Sequence, residues 1–325
     1  MAATYLGCDG FETGGWRGLT ANQQFFAIQT AQKHTGTYSA LVSTNGWFRY
    51  PITGTPDNCS ISVWIRLQNL WSSGACHISL VLTTGEEIKI QWNSTSKSWD
   101  FYVDGVLTAS GTTYVEYDTW HNIQFWSFFD NAGFGRVKIN GVLDINYSGD
   151  TLPVAADASV AYLMFYNPSG NDNWYIDDVA WGTDDYLGDC RVEWVKPNAD
   201  TAVEDWTPST GVDSYAMVDE VPLSDSDYLY TPNNADETEL ALTAWDGTGK
   251  TPLLVVAWVR AREEAATGEQ LNVGIDSNGT DDVTLHTVSD DYRYYDHVMQ
   301  QNPDGPAAWN EAAIQAALSR IEAVI

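Results

Sequence analysis

The chain has 325 residues, 44% of them apolar and 13% aromatic, which is enough to fill the cores of two ordinary domains and excludes a disordered polymer. Lys and Arg number 15 against 44 Asp and Glu, giving a net charge of −29 at pH 7, and a surface so negative repels DNA and RNA. No apolar run approaches the ~20 residues of a membrane-crossing helix, and the start, Met1-Ala2-Ala3-Thr4-Tyr5-Leu6, lacks the basic and apolar regions of a secretory signal.

From residue 4 to residue 181 the sequence is a succession of short extended runs cut by Gly, Asn, Asp and Ser. The spacing predicts strands over 38–44, 46–51, 60–66, 76–83, 87–93, 98–103, 122–128, 135–139, 160–166 and 174–181. Turn signals separate them at Asn45-Gly46, Thr84-Gly85, Asp104-Gly105 and Asn140-Gly141. Alternation is plain in Ile61-Ser62-Val63-Trp64-Ile65-Arg66-Leu67, with apolar side chains on one face and polar ones on the other. Many short strands without an amphipathic helix predict a two-sheet sandwich or jelly roll.

The last of these runs, Trp174-Tyr175-Ile176-Asp177-Asp178-Val179-Ala180-Trp181, carries two adjacent carboxylates in its middle. Neighbours on an extended chain point to opposite faces, so one carboxylate must face inward, where burial costs free energy unless a partner or a metal compensates it. This run is read as the closing strand of a first domain over 1–183. A second domain is read over 186–325, where the turns become acidic and proline-rich, as in Val221-Pro222-Leu223-Ser224-Asp225-Ser226-Asp227. Strands are predicted there over 190–195, 252–262, 270–276, 292–300 and 320–325. A helix is predicted over 307–318, after the stop Asn302-Pro303-Asp304-Gly305-Pro306. The four cysteines, Cys8, Cys59, Cys76 and Cys190, show no metal spacing and read as buried free thiols, with a Cys59–Cys76 disulfide the alternative.

Five fragments follow one another through the first domain: Cys8-Asp9-Gly10-Phe11-Glu12, His34-Thr35-Gly36-Thr37-Tyr38-Ser39-Ala40-Leu41, Trp120-His121-Asn122-Ile123, Val137-Lys138-Ile139-Asn140-Gly141-Val142 and Tyr175-Ile176-Asp177-Asp178-Val179. In this order they resemble the motifs of concanavalin A-like (laminin G-like) and carbohydrate-binding jelly rolls. In the second domain Leu187-Gly188-Asp189-Cys190-Arg191-Val192, Trp206-Thr207-Pro208-Ser209, Val218-Asp219-Glu220-Val221-Pro222 and Asp225-Ser226-Asp227-Tyr228 resemble a module of tailed-phage structural proteins. So does Asn302-Pro303-Asp304-Gly305-Pro306-Ala307-Ala308-Trp309-Asn310-Glu311-Ala312-Ala313-Ile314.

The first resemblance implies a structural calcium ion shared by Asp9, Glu12 and Asp177 with backbone carbonyls, in keeping with the oxygen-rich shell such a hard cation takes. Glycan binding needs exposed aromatic rings beside hydrogen-bonding groups. Trp16, Trp47, Trp71, Trp92, Trp99 and Trp126 are the candidates, with Asn69, Asn93 and Asp100 nearby; Trp71 and Asn69, in one loop, have the first claim. Hydrolysis needs two carboxyls across the scissile bond. The paired-carboxylate strand motif of laminarinase-like enzymes is missing, as are the phosphate-binding, dinucleotide-binding and nucleophile-elbow motifs.

Together these readings predict an all-β protein, a concanavalin A-like sandwich followed by a second β-rich sandwich module with one short C-terminal helix. The second resemblance implies a non-enzymatic structural protein of a tailed virus, displayed on tail or capsid. Its partners would be other virion proteins and further copies of itself, with host-surface glycans as ligand. It would be made in the host cytoplasm, where thiols stay reduced. The alternatives are a polysaccharide-degrading depolymerase and a purely capsid-stabilising decoration protein without ligand.

Overall fold

The computed structural model describes residues 4–15, 23–54, 56–68, 76–152, 159–168, 173–265, 267–305 and 307–324. It divides into two compact units, residues 1–12 with 18–193 and residues 13–17 with 194–325, so that 186–193 belong to the first. Both are almost wholly β, as the alternation and the turn signals predict.

The first unit contains β1 (Thr4–Asp9), β2 (Gln23–Gln29), β3 (Ser39–Pro51), β4 (Asn58–Gln68), β5 (His77–Leu82), β6 (Glu87–Asn93) and β7 (Ser98–Val103). These are followed by β8 (Val106–Ser110), β9 (Trp120–Phe128), β10 (Phe134–Ile139), β11 (Val142–Ser148), β12 (Val160–Asn167) and β13 (Asn173–Thr183). All pairings are antiparallel, in the order β11-β10-β9-β4-β13-β3-β12-β5-β6-β7-β8. One long strand, β3, serves two layers: Ala40–Val42 pairs with β13 and Gly46–Pro51 with β12. It changes layer at Asn45, which sits at φ 55°, and at Gly46, where a Cβ would come within 2.4 Å of the Phe25 carbonyl oxygen.

The apolar face of each layer is turned to the other. Ile61, Val63, Ile65, Phe125, Val137 and Ile176 line one side, and Ile78, Leu80, Ile88, Ile90, Phe101 and Phe165 the other. Phe101 meets Phe125 edge-on across the core, ring centroids 6.1 Å apart, and Gly135 leaves room for the Phe101 ring. The last strand of this unit, β13, lies centrally in the pairing order, bonded to β1, β3 and β4. All four cysteines are free thiols.

The second unit contains β14 (Pro197–Glu204), β15 (Thr207–Pro208), β16 (Leu229–Tyr230), β17 (Glu237–Leu242), β18 (Val255–Ala261), β19 (Gln270–Ser277), β20 (Thr280–Thr287), β21 (Arg293–Met299), α1 (Glu311–Ala316) and β22 (Ala317–Val324). Its main sheet runs β14-β17-β22-β19-β20, and the hairpin β18–β21 covers it. The core gathers Leu271, Val273, Ile275, Tyr295, Met299, Trp309 and Ala317. Only one turn and a half of the expected helix forms. Asn310 caps its start by accepting from the Ala313 amide at 3.0 Å, and Ala317 is already extended because β22 pairs with both β17 and β19. The strand expected over 190–195 is irregular, its Val192 amide donating to Asp178.

Candidate functional site

The outward face of the layer β3-β12-β5-β6-β7 carries aromatic, amide, basic and acidic side chains side by side. Strand alternation puts Phe48, Leu163, Phe165, Ile78, Leu80, Ile88, Ile90, Trp99 and Phe101 into the core, so the intervening residues point away from it. The registers align these outward residues in two rows. Trp47, Tyr166, His77, Gln91 and Asp100 are successive cross-strand partners. Arg49, Met164, Ser79, Lys89 and Tyr102 form the next row, two residues along each strand. At strand spacing, five strands span roughly 19 Å.

Local contacts fix these groups. The Arg49 guanidinium lies 4.1 Å over the Tyr162 ring and 5.5 Å from that of Trp47. The His77 ring meets Tyr166 edge-on with centroids 5.1 Å apart. Glu87, at the edge of the face, accepts from Ser79 Oγ at 2.9 Å and from Lys89 Nζ, and lies 3.8 Å from His77 Nε2. Burial pushes the Glu87 carboxyl up, but Lys89, His77 and Ser79 together hold it below its ordinary value, so it is ionised. Asn93 donates to Asp100 at 2.8 Å. Burial, and then Asp100, raise the Tyr102 phenol above its usual range. His77, Ser79 and Asp100 lie deep, among half-buried neighbours. Aromatic rings, amides, one guanidinium and acid–base groups thus share a single surface.

The sequence-predicted residues fall elsewhere. Trp71 and Asn69 lie outside the described residues, as does Trp16. Trp92 and Trp99 are core residues, and among the described tryptophans named above only Trp47 stands on the face, with Asp100 and Asn93 of the polar candidates. The three expected calcium ligands do not gather. Asp9 accepts from the Phe11 amide at 2.7 Å and the Tyr50 hydroxyl at 3.0 Å. Glu12 accepts from the amides of Thr37 and Tyr38, at 2.9 and 3.0 Å. Asp177 accepts from those of His34 and Thr35, at 2.8 and 3.3 Å.

Glu12 and Asp177 therefore pin the same segment, and Asp178, which the sequence placed on the opposite face from Asp177, joins them. It takes His34 Nδ1 at 2.7 Å, the Thr35 hydroxyl at 2.9 Å and the Val192 amide at 2.8 Å. Both aspartates are buried because β13 bulges after Asp177 and Asp178 sits at φ 49°. Burial, then the Asp178 charge, push the Asp177 carboxyl from 3.8 up to about 8, against the pull of the three amides that donate to it.

Among the described residues, one group of carboxylates has oxygens gathered within 4.8 Å: Glu239, Asp276 and Asp281 of the second unit. Arg320 occupies their midst, bound to Asp281, 4.0 Å from Glu239 and 2.9 Å from Glu237. The carboxylates thus belong to an ion network that includes a guanidinium.

No protein-family model matches the chain, and no curated protein matches it. Solved structures do. The cellulose-induced protein Cip1 is 17% identical, with a TM-score of 0.43, over 57% of this chain and 98% of its own. An endo-β-1,4-glucuronan lyase from the fungus Trichoderma reesei is 13% identical, with a TM-score of 0.40, over 56% and 96%. The alginate lyase Aly36B is 10% identical, with a TM-score of 0.36, over 45% and 80%. These are β-sandwich proteins that act on or respond to polysaccharides.

The expectation of a non-enzymatic protein displayed on a virus particle is corrected on this finding: the fold neighbours named here are carbohydrate proteins and lyases, and none is a virion component. Residues of the fragments that suggested a virion module take part in packing. Leu187 and Cys190 pack on Ala180, and Trp309 fills the core of the second unit. No helix among the described residues is long and apolar enough to cross a membrane.

Proposed function

We propose that this protein binds a polysaccharide along the outward face of β3-β12-β5-β6-β7 and depolymerises it there. The observation that carries the reading is the pair of side-chain rows, which set aromatic rings (Trp47, Tyr166, Tyr102) beside hydrogen-bonding groups (Arg49, Gln91, Asp100). Sugar rings offer C–H faces that stack on aromatics and hydroxyls that need partners, and a face with both in register matches an extended glycan. Cleavage is supported by His77 and Tyr166, a titratable ring and a phenol in edge contact within the path of the chain.

The test is affinity electrophoresis on neutral and acidic polysaccharides, with chain length of the polymer followed over time. The protein is expected to be retarded by at least one of them and to shorten it. The double variant W47A/Y166A is expected to bind about tenfold more weakly, the loss of ~1.4 kcal/mol of contact. Unchanged retardation of a folded double variant, or no retardation of the wild type by any polymer, sinks the assignment of this face.

A further inference from the structure

We propose that the other layer of the first unit carries, on the outward side of β4, β9 and β10, an oxyanion site for a sulfate or phosphate group, free or borne as an ester on a sugar. Ser60, Trp126, Arg136, Lys138 and Tyr186 build it. The site shares no residue with the face proposed to bind polysaccharide and is tested apart from it.

Alternation sets the row. Ile61, Phe125 and Val137 turn into the core, so Ser60, Trp126 and Arg136, their neighbours along β4, β9 and β10, point away from it. The registers make these three successive cross-strand partners, Ser60 to Trp126 and Trp126 to Arg136. Lys138 lies two residues further along β10, on the same face. Tyr186 reaches the row from the segment after β13 and meets the Trp126 ring edge-on, centroids 5.5 Å apart.

The row and Tyr186 leave a set of buried polar atoms without a hydrogen-bond partner: Ser60 Oγ, Trp126 Nε1, Arg136 Nε and the Tyr186 hydroxyl. Such orphans are rare and costly, and their gathering on neighbouring side chains points to a ligand that completes them. The Trp and Arg nitrogens can only donate, and both hydroxyls can donate too. Burial pushes the Tyr186 phenol up to about 12, against the pull of Arg136 and with a further push from Asp185, so at neutral pH it keeps its proton. The partner that suits all four is therefore an acceptor.

Charge says which acceptor. The Arg136 guanidinium lies 4.3 Å from the centroid of the Phe134 ring and 5.4 Å from that of Trp126, and Lys138 Nζ lies 3.7 Å from that of Tyr186. Neither cation has a carboxylate within ion-pair distance among the described residues, in a chain with 44 acids for 15 bases. The rings position both cations and leave their charge uncompensated. An anion with several oxygens meets the donors and the charge together. A tetrahedral one suits better than a planar carboxylate, because the donors come from three strands and a crossing segment and not from one fork. Trp126, Arg136, Lys138 and Tyr186 are half-buried, so the anion enters from solvent, with the flexible Lys138 stem folding over it.

The experiment titrates the full-length protein with sodium sulfate and sodium phosphate in a calorimeter, at an ionic strength held constant with chloride. The double variant Arg136→Gln, Lys138→Gln is expected to bind about tenfold more weakly than the wild type, having lost two charged donors. Tyr186→Phe, which removes one hydroxyl and keeps the ring under Lys138, is expected to bind about threefold more weakly. W47A/Y166A is expected to bind like the wild type, so failure of the polysaccharide face leaves this result untouched. Crystals soaked in selenate are expected to show selenium beside Arg136. A sulfated galactan and its desulfated form separate the two sources. Preference for the sulfated polymer, lost in the double variant, assigns an ester on a sugar; binding of the inorganic anion alone assigns the free ion. Equal binding by wild type and folded double variant, no binding of either anion, or selenium only at other positions overturns the proposal.

Discussion

At the scale of single residues, the buried pair Asp177–Asp178 shows how far one backbone irregularity reaches. Alternation along a regular strand sends adjacent side chains to opposite faces, and that rule is all a sequence can apply. The bulge after Asp177 suspends it, and both carboxylates turn to the segment 34–38 and to Val192. The consequence for pH follows from the raised carboxyl. An acid whose folded value of about 8 exceeds its unfolded 3.8 binds its proton more tightly when folded, so its contribution is complete below about pH 4 and is lost as pH rises through 8. Thermal unfolding between these limits is therefore expected to show stability falling with pH, by at most ~1.4 kcal/mol per unit from this group. Asp177→Asn is expected to flatten that dependence while lowering stability throughout, because its amide donors face the amides of His34, Thr35 or Asp178. A variant with the wild-type slope would show that another group sets it.

At the scale of elements, strands announced themselves and their neighbours did not. The runs over 87–93 and 98–103 coincide with β6 and β7; polar and apolar residues alternate throughout the first and over Ser98–Phe101 in the second. Shorter or exposed strands such as β8 and β11, with Val106, Leu107, Val142 and Leu143 open to solvent, gave no such contrast. The face proposed to bind polysaccharide stayed hidden for a different reason. Trp47, Tyr166, His77, Gln91 and Asp100 come from five strands spread over 120 residues, and only the pairing order makes them a row. The available signal was the repeated polar side of each strand, Glu87, Lys89, Gln91 and Asn93 above all, which reads as solvated surface until its neighbours are known.

The helix expected over 307–318 taught the opposite lesson. Its alanines favour a helix, yet the sheet claims Ala317 onward for β22. What the segment does supply is Trp309, nearly fully buried against Ile275, Met299 and Ala317, with its indole N–H donating to the Met299 carbonyl at 3.1 Å. Trp309→Ala is expected to cost about 3–5 kcal/mol and to lower the melting temperature of the second unit. Calorimetry checks it, and a loss below ~1 kcal/mol would mean that the site collapses on the void or was never tightly packed.

At the scale of the whole molecule, a net charge of −29 bears on whether the proposed face can hold an acidic polysaccharide such as a polyuronate as well as a neutral one. Contacts and net charge act over different distances. Arg49 and the amides beside it work at contact, where salt has little access. The general field of the surplus carboxylates reaches outward over a Debye length, about 30 Å at 0.01 M salt and about 8 Å at 0.15 M. A polyuronate approaching at low ionic strength is repelled before it reaches the face, and added salt removes that repulsion first. Binding of a polyuronate is therefore expected to strengthen as salt rises from about 0.01 M to about 0.15 M, and to weaken only near ~1 M, when the contact charges themselves are screened. Nucleic-acid-binding proteins show the reverse, a steady loss from the lowest salt upward. Retardation measured across that series decides the matter. A steady fall from the start would place the binding surface in a positive field that this chain does not have, and would move the site away from the face carrying Arg49.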